Sequence, residues 1–223
     1  MRAGQVALLV LAKAPEPGRV KTRLCPPASP VQAARIAAAA LLDTLDAIRA
    51  VPGAQAVVAL SGDLANAEMR EELTVALRDV PLIPQRGAGL GERIAASHAD
   101  TAELLPGSDI IQIGMDTPQV GAELLGSCVR QLRSAGTDAV LGPATDGGWW
   151  ALGLRDPLAA VVVAGVPTSS ADTGERTMAA LRRNGLHVNR LPQLSDVDTM
   201  EDALMVAGSM PGSRFATAVR ELL

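Results

Sequence analysis

At 223 residues and 22.9 kDa, with 48% hydrophobic and 20% charged residues, the chain has the size and composition of one folded domain, which excludes disorder. A formal charge of -4, a pI near 5.2 and 1% aromatic residues exclude a general nucleic-acid surface, which needs positive charge and stacking rings. Cys25 and Cys128 are too few for a disulfide framework, His98 and His187 lack partners at zinc spacing, and no apolar run approaches the roughly 20 residues of a membrane helix.

The first element, QVALLVLA, is short and continuously apolar, as in a strand buried on both faces of a parallel sheet. It is at the lower length limit for a signal-peptide core, so a cytoplasmic protein is expected. Behind it the loop LAKAPEPGRVKTRL gathers Lys13, Arg19, Lys21 and Arg23 against Glu16, a local charge of +3 in an acidic chain. Ala34, Ala38, Leu41, Leu45 and Ile48 then form the single stripe of a helix over Val31–Arg49, ended by Pro52 and Gly53. AQAVVALS reads as a second strand, Asp63 as the cap of a helix to about Leu77, and VPLIPQ as a short third strand. Gly87, Gly89 and Gly91 open the next helix, and SDIIQIG is the fourth strand. Thr117-Pro118 supplies an N-cap and a first-position proline for a helix to about Ala135, with Gly136 behind it. DAVLGPA is a fifth strand, GGWWALGL a further extended segment and AVVVAGV another short apolar run. Asp172 with Glu175 makes an acidic capping box for a helix to about Asn184, LHVNRLPQL is a late strand, Thr199 caps a further helix, and GSRFATAVRELL closes the chain as an amphipathic one.

This alternation implies right-handed crossovers and an α/β fold, three layers with helices on both faces of a mostly parallel sheet, in one domain over residues 1–223. Ligands of such sheets sit beyond the carboxyl ends of the strands, where the basic loop, GMDTP and GPATDGG all fall.

Pro15 and Pro17 stiffen the basic loop and Gly18 permits a tight turn, while Lys21 offers a point charge and Arg23 a planar fork, the two ways to hold a diphosphate. A solvated surface loop is the competing reading. Asp116, at the end of the fourth strand, is either a ligand for a hard divalent cation or a cap for the following helix. SDVDTMED adds Asp196 and Asp198, of which only one is expected to reach the cleft, and Asp198 could instead cap the helix near Thr199. Mg2+ or Mn2+, bound by one or two carboxylates and by phosphate oxygens, would suit a nucleotide. In GPATDGGWW, Asp146 could position or deprotonate an acceptor hydroxyl, Gly147 and Gly148 let the backbone approach a ligand, and Trp149 or Trp150 could stack on a sugar or base. A turn beside core tryptophans is the alternative. Gln85 offers an amide to a base edge, and the glycines of QRGAGLGER, Gly89 and Gly91 among them, would admit a ribose.

Taken in order, AKAPEPGRVKTRL, QRGAGLGER, IGMDTP, GPATDGGWWALGL and DVDTMED resemble the nucleotide-diphospho-sugar transferase superfamily, specifically its small bacterial glycosyltransferase-like group, once a domain of unknown function. The matching pieces span residues 12 to 202. The resemblance implies a Rossmann-like fold of GT-A type, a nucleotide lined by Ala12 to Arg23 with Lys13 and Gly18 among them, and Gln85 near the base. It also implies Asp116 as the metal-binding acid, Asp198 as a second metal-side acid and Asp146 on the acceptor side. The group's usual GSDCP is GMDTP here, its DGGYY is DGGWW, and a Trp-Ser-Thr stretch appears as PTSSADT.

Three functions follow as expectations. The first is metal-dependent transfer of a sugar from a nucleotide-diphosphate sugar to a small acceptor, with Lys21, Arg23 and Asp146 as catalytic groups. The second is nucleotidyl transfer, similar to phospholactate guanylyltransferases, from a nucleoside triphosphate to a small anionic substrate. The third is nucleotide binding without catalysis. The expected partners are a nucleotide or nucleotide sugar and a small-molecule acceptor, with no nucleic acid, no membrane and homodimerisation left open.

Overall fold

The computed structural model describes residues 5–168 and 170–222. Ser169, within PTSSADT, and Leu223, at the end of the last expected helix, lie outside the described residues.

Strand β1 (Val6–Lys13) is apolar up to Ala12 because both its faces are covered, and it ends on the exposed Lys13. Val6, Leu8 and Val10 pack into one core beneath α1 (Pro30–Arg49) and α4 (Ala122–Leu132). Ala7 and Leu9, alternate residues of the same strand, join the opposite core, where α3 (Leu90–Leu104) contributes Ala102. The remaining strands are β2 (Ala54–Ser61), β3 (Leu82–Pro84), β4 (Asp109–Gly114), β5 (Ala139–Pro143), β6 (Trp149–Leu154) and β7 (Val188–Arg190). They form one seven-stranded sheet in the order β3-β2-β1-β4-β6-β5-β7, parallel except for β6, which runs antiparallel between β4 and β5. The expected three-layer, mostly parallel α/β fold is therefore present.

Helix α1 begins with a capping box: the Ser29 hydroxyl accepts from the Gln32 N–H, and the Gln32 side chain accepts from the Ser29 N–H, with Pro30 in the first turn. One side of α1 covers the sheet. Its other side carries Ile36 into a separate core with Phe215, formed by α6 (Met200–Ser209) and α7 (Arg214–Arg220), so the carboxyl-terminal helices lie outside α1.

Several local expectations are corrected. Asp63 caps only the short 3-10 turn Leu64–Asn66, and α2 (Arg70–Leu77) starts later, behind Met69 in a left-handed conformation. Thr117-Pro118 does not start a helix. The 116–119 stretch is tied to the 195–197 segment, because the Val197 N–H donates to Asp116 O at 2.9 Å and Gln119 Nε2 to Ser195 O at 2.5 Å, and α4 begins only after Gly121. AVVVAGV belongs to a 3-10 helix, Pro157–Gly165, whose N-terminal Leu158 N–H is capped by Asp156. The Asp172–Glu175 box is not made: Asp172 accepts from Ser170 and Arg176, and Glu175 pairs with Arg190, although α5 (Thr173–Arg183) forms. Among the described residues no helix is long and apolar enough to cross a membrane.

Candidate active site

The chain leaves β1 through a loop that is pinned to its neighbours. Glu16 is buried, and its Oε1 accepts from the Asp63 N–H at 3.0 Å, while the Ala14 N–H donates to Ser61 O at 2.7 Å. The acid of the loop is thereby engaged at the end of β2, with its Oε2 also 3.7 Å from Arg19 Nε, and Lys13, Arg19, Lys21 and Arg23 line a cavity. Lys13 Nζ donates to Arg19 O at 2.7 Å, which closes the loop on itself around Gly18. Lys21 has φ of +48°, a left-handed conformation that costs a residue with Cβ roughly 1–2 kcal/mol, and it leads into the 3-10 turn Thr22–Leu24. That strained position delivers its ammonium to the carboxylates across the cleft.

Lys21 Nζ lies 2.6 Å from Asp116 Oδ1 and 3.8 Å from Asp198 Oδ1, and it also donates to Val197 O. Arg23 Nη1 pairs with Asp198 Oδ2 at 2.8 Å. The capping alternatives for the two acids fail on geometry. Helix α4 has Gly121 at its N-cap, and α6 is capped by Thr199 with Asp202 as the reciprocal acid, so both Asp116 and Asp198 have their side chains elsewhere. One ammonium reaching both carboxylates shows that they can share a single cation, and their hard oxygens suit Mg2+ or Mn2+. Among the described residues no group of three metal-ligating side chains forms, so a divalent ion there would draw its remaining ligands from a substrate or water.

The expectation that only one of Asp196 and Asp198 reaches the cleft is wrong: both line the same cavity, and the intervening Val197 is buried. Successive residues of an extended chain take opposite sides, so residues two apart share one. Burial raises the pKa of Asp196 above the usual carboxylate range, and the nearby Asp146 carboxylate pushes the same way.

Two cavities meet at this seam. The first, of about 350 Å3, is lined by Lys13, Arg19, Lys21, Arg23 and Arg93, with Ala12 and Gln85 at its base. The second, of about 480 Å3, is lined by Asp146, Asp196, Gln112, Thr117, Trp149 and Gly148. Arg23, Asp116 and Asp198 belong to both.

Gln85 Nε2 donates to Ala12 O at 2.8 Å and to Ala59 O at 2.9 Å, which leaves its carbonyl oxygen as the amide atom not used in these bonds. Gly18 is exposed and forms the turn of the loop with φ of +76°, and Gly89 is exposed at the N-cap of α3. Gly91 is buried instead of facing a ligand: a Cβ there would sit 2.5 Å from Val163 O, so it is a packing glycine between α3 and the 3-10 helix. Asp146 is exposed and accepts from the Gly148 N–H at 2.7 Å, so it both makes the turn and borders the second cavity. Trp149 is partly buried on that cavity, whereas Trp150 is a core residue whose Nε1 donates to Pro192 O at 2.9 Å. Sequence reasoning did not single out Arg93, Gln112 or Thr117 as site residues, and it read Thr117 only as a helix N-cap. Arg93 stands in the GER of QRGAGLGER, but Gln112 and Thr117 sit inside apolar and turn signals that nothing distinguishes without a fold.

None of the curated proteins matches the chain. Among solved structures, a protein of Desulfovibrio desulfuricans G20, provisionally named a nucleotide-diphospho-sugar transferase, is 29% identical over 98% of this chain and 95% of its own, with a TM-score of 0.83. A cytidylyltransferase of Leptospira borgpetersenii shares the fold at 14% identity and a TM-score of 0.61, covering 98% of this chain and 94% of that one. Rv0371c of Mycobacterium tuberculosis H37Rv, in complex with manganese, does so at 20% identity and a TM-score of 0.53, covering 91% and 97%. The family model for an uncharacterized protein conserved in bacteria (DUF2064) matches residues 44–170, which is more than half of the chain. With the basic loop, the acidic seam and this sheet in place, the chain belongs to that bacterial family, built on the nucleotide-diphospho-sugar transferase fold.

Proposed function

We propose that the protein is a metal-dependent glycosyltransferase that moves a sugar from a nucleotide-diphosphate sugar to a small acceptor. The observation that carries this reading is the pair of cavities, one rich in cations and one rich in carboxylates, that meet at Asp116, Asp198 and Arg23. The first suits a nucleoside diphosphate, with the carbonyl oxygen of Gln85 left to meet a base. The second has room for the sugar and the acceptor, with Trp149 available to stack on a ring. Asp116 and Asp198 would hold Mg2+ or Mn2+, which when bound supplies positive charge to the diphosphate. Lys21 and Arg23 would stabilise the charge that develops as the diphosphate departs, in a position fixed before the reaction by the pinned loop. Asp146 would orient the acceptor hydroxyl or take its proton. The likeness to the Desulfovibrio protein supports the donor class, and the manganese complex of the mycobacterial protein supports the metal.

Nucleotidyl transfer is the second reading, favoured by the likeness to the Leptospira cytidylyltransferase. The same groups would then serve attack on an α-phosphate with release of pyrophosphate.

The test is a melting-temperature screen of nucleoside mono-, di- and triphosphates and their sugars with and without manganese, followed by product analysis. A ligand at about 100 times its Kd should stabilise by about 2.7 kcal/mol, roughly 5–10 °C for a chain of this size. Asp116→Ala should abolish the manganese-dependent part of the shift. Release of nucleoside diphosphate from a nucleotide sugar supports glycosyl transfer, pyrophosphate from a triphosphate supports the second reading, and binding without either product reduces the protein to a nucleotide-binding module. A metal-dependent shift unchanged in Asp116→Ala overturns the metal assignment.

A further inference from the structure

The second cavity carries more information than its contact with the seam. Its charged lining among the described residues is four carboxylates, Asp116, Asp146, Asp196 and Asp198, against Arg23, which is already paired with Asp198. The first cavity has the opposite balance, five basic side chains against the two shared acids. Even with Asp116 and Asp198 committed to a cation, Asp146 and Asp196 leave the second cavity negative.

An acidic lining alone would say little, but the cavity also has polar groups without partners. Gln112 and Thr117 are each 3% exposed, and both line this cavity. Thr117 Oγ1 has no hydrogen-bond partner within the chain, and Gln112 Oε1 makes no bond of normal geometry, with the buried His98 ring beside it. A buried polar atom left unpaired is expensive, so such groups in a cavity wall mark where a bound molecule supplies the missing bond. An amide and a hydroxyl can each exchange hydrogen bonds with a ligand hydroxyl, and the carboxylates beyond them only accept. Leu11, Ile94 and Val163 on the same wall suit the apolar face of a carbon skeleton.

We infer that the second cavity takes a polyhydroxylated acceptor bearing no phosphate or carboxylate, held by Gln112 and Thr117 and screened by Asp146 and Asp196. The inference rests on the transferase reading for the word acceptor, while the ligand class follows from this cavity's own lining. Hydroxyls would fill the unpaired positions of Gln112 and Thr117 and donate to the carboxylates. An anionic group would meet like charge, which should weaken its binding by at least about tenfold. The same reasoning separates the two transfer reactions, since a nucleotidyltransferase acting on a small anionic substrate would need cations where this cavity has Asp146 and Asp196.

The test is ligand-observed saturation-transfer NMR with glucose, myo-inositol, glucosamine, glucose 6-phosphate and gluconate. The panel is run on the whole chain alone and with manganese plus the nucleoside diphosphate that shifts the melting point most. Glucose, myo-inositol and glucosamine should give signals, with glucose 6-phosphate and gluconate at least about tenfold weaker. Thr117→Val, which keeps the shape of the side chain, and Gln112→Leu should each abolish the polyol signal while circular dichroism and the nucleotide-induced melting shift remain. Asp196→Asn should narrow the gap between glucose and glucose 6-phosphate. Equal or tighter binding of the anionic sugars, polyol signals unchanged in Thr117→Val, or no polyol binding at all would each overturn the inference. A panel blind to charge with the nucleotide shift intact defeats this inference alone, whereas a missing nucleotide shift defeats the transferase reading whatever the panel shows.

Discussion

His98 should make the stability of this protein fall on mild acidification. The side chain projects from α3 into the interior, is fully buried, and has no hydrogen-bond partner on either ring nitrogen. Burial pushes its pKa from 6.5 down to about 4, and the Gln112 side chain, close enough for a loose hydrogen bond but not one of normal geometry, pulls the other way. Between these values the unfolded chain binds a proton that the folded chain does not, so stability rises with pH across the interval. The contribution is complete above pH 6.5, drains as pH falls, and is gone below about pH 4. That interval corresponds to roughly 3 kcal/mol, of which about 2 kcal/mol is lost by pH 5. For a chain of this size the loss at pH 5 is about 4–8 °C in melting temperature. Urea unfolding of the natural chain and of His98→Leu, run in parallel from pH 8 to pH 4, isolates the effect. The titration of carboxylates is common to both chains and cancels in the difference, whatever constant offset the substitution adds. The natural chain should lose about 2 kcal/mol relative to the variant between pH 8 and pH 5. A difference that stays flat over that range would show that the imidazole is hydrated or paired in solution, and the reasoning from burial would fail.

Two further outcomes test the site and its surroundings. At Gly147, φ is +88° and an added Cβ would lie 1.9 Å from Ala171 O, a backbone atom that cannot swing aside. Gly147→Ala should therefore cost about 2–4 kcal/mol and displace the Asp146 turn, while Gly148→Ala, whose Cβ first meets the Asp146 carboxylate at 3.0 Å, should cost clearly less; equal melting temperatures for the two variants would refute this. Cys128 is buried and its thiol is pushed up to about 11, whereas Cys25 is only partly buried. A thiol-disulfide reagent at pH 8 should consume one equivalent quickly and the second only after denaturation, so two fast equivalents would contradict the packing around α4.

Much of the scaffold was legible because local pattern and global fold agree. The apolar run of β1, the four-three stripe of α1 and the Pro and Gly stops are read directly from side-chain burial and backbone freedom, and they imply a sheet covered on both faces. The basic loop was legible for a similar reason, since its charge and its prolines are adjacent in sequence. Elements whose ends are set by distant partners were not. The start of α4 depends on contacts with residues 195–197, and the antiparallel course of β6 depends on its insertion between β4 and β5, which are distant in sequence from one another. The 3-10 helix Pro157–Gly165 carried a readable signal in Asp156-Pro157, but its apolar composition resembles a strand.

Sequence alone determined which residue types lie at the strand ends: cations after β1 and acids after β4 and ahead of α6. Only the tertiary structure decided that Lys21 lies between Asp116 and Asp198, that Asp196 and Asp198 share a side, and that Gln112 and Thr117 are left unpaired in a cavity wall. The physical reason is that charge and apolarity are properties of single residues, whereas attraction over a few ångströms, desolvation and an unmade hydrogen bond belong to groups brought together from positions up to 177 residues apart.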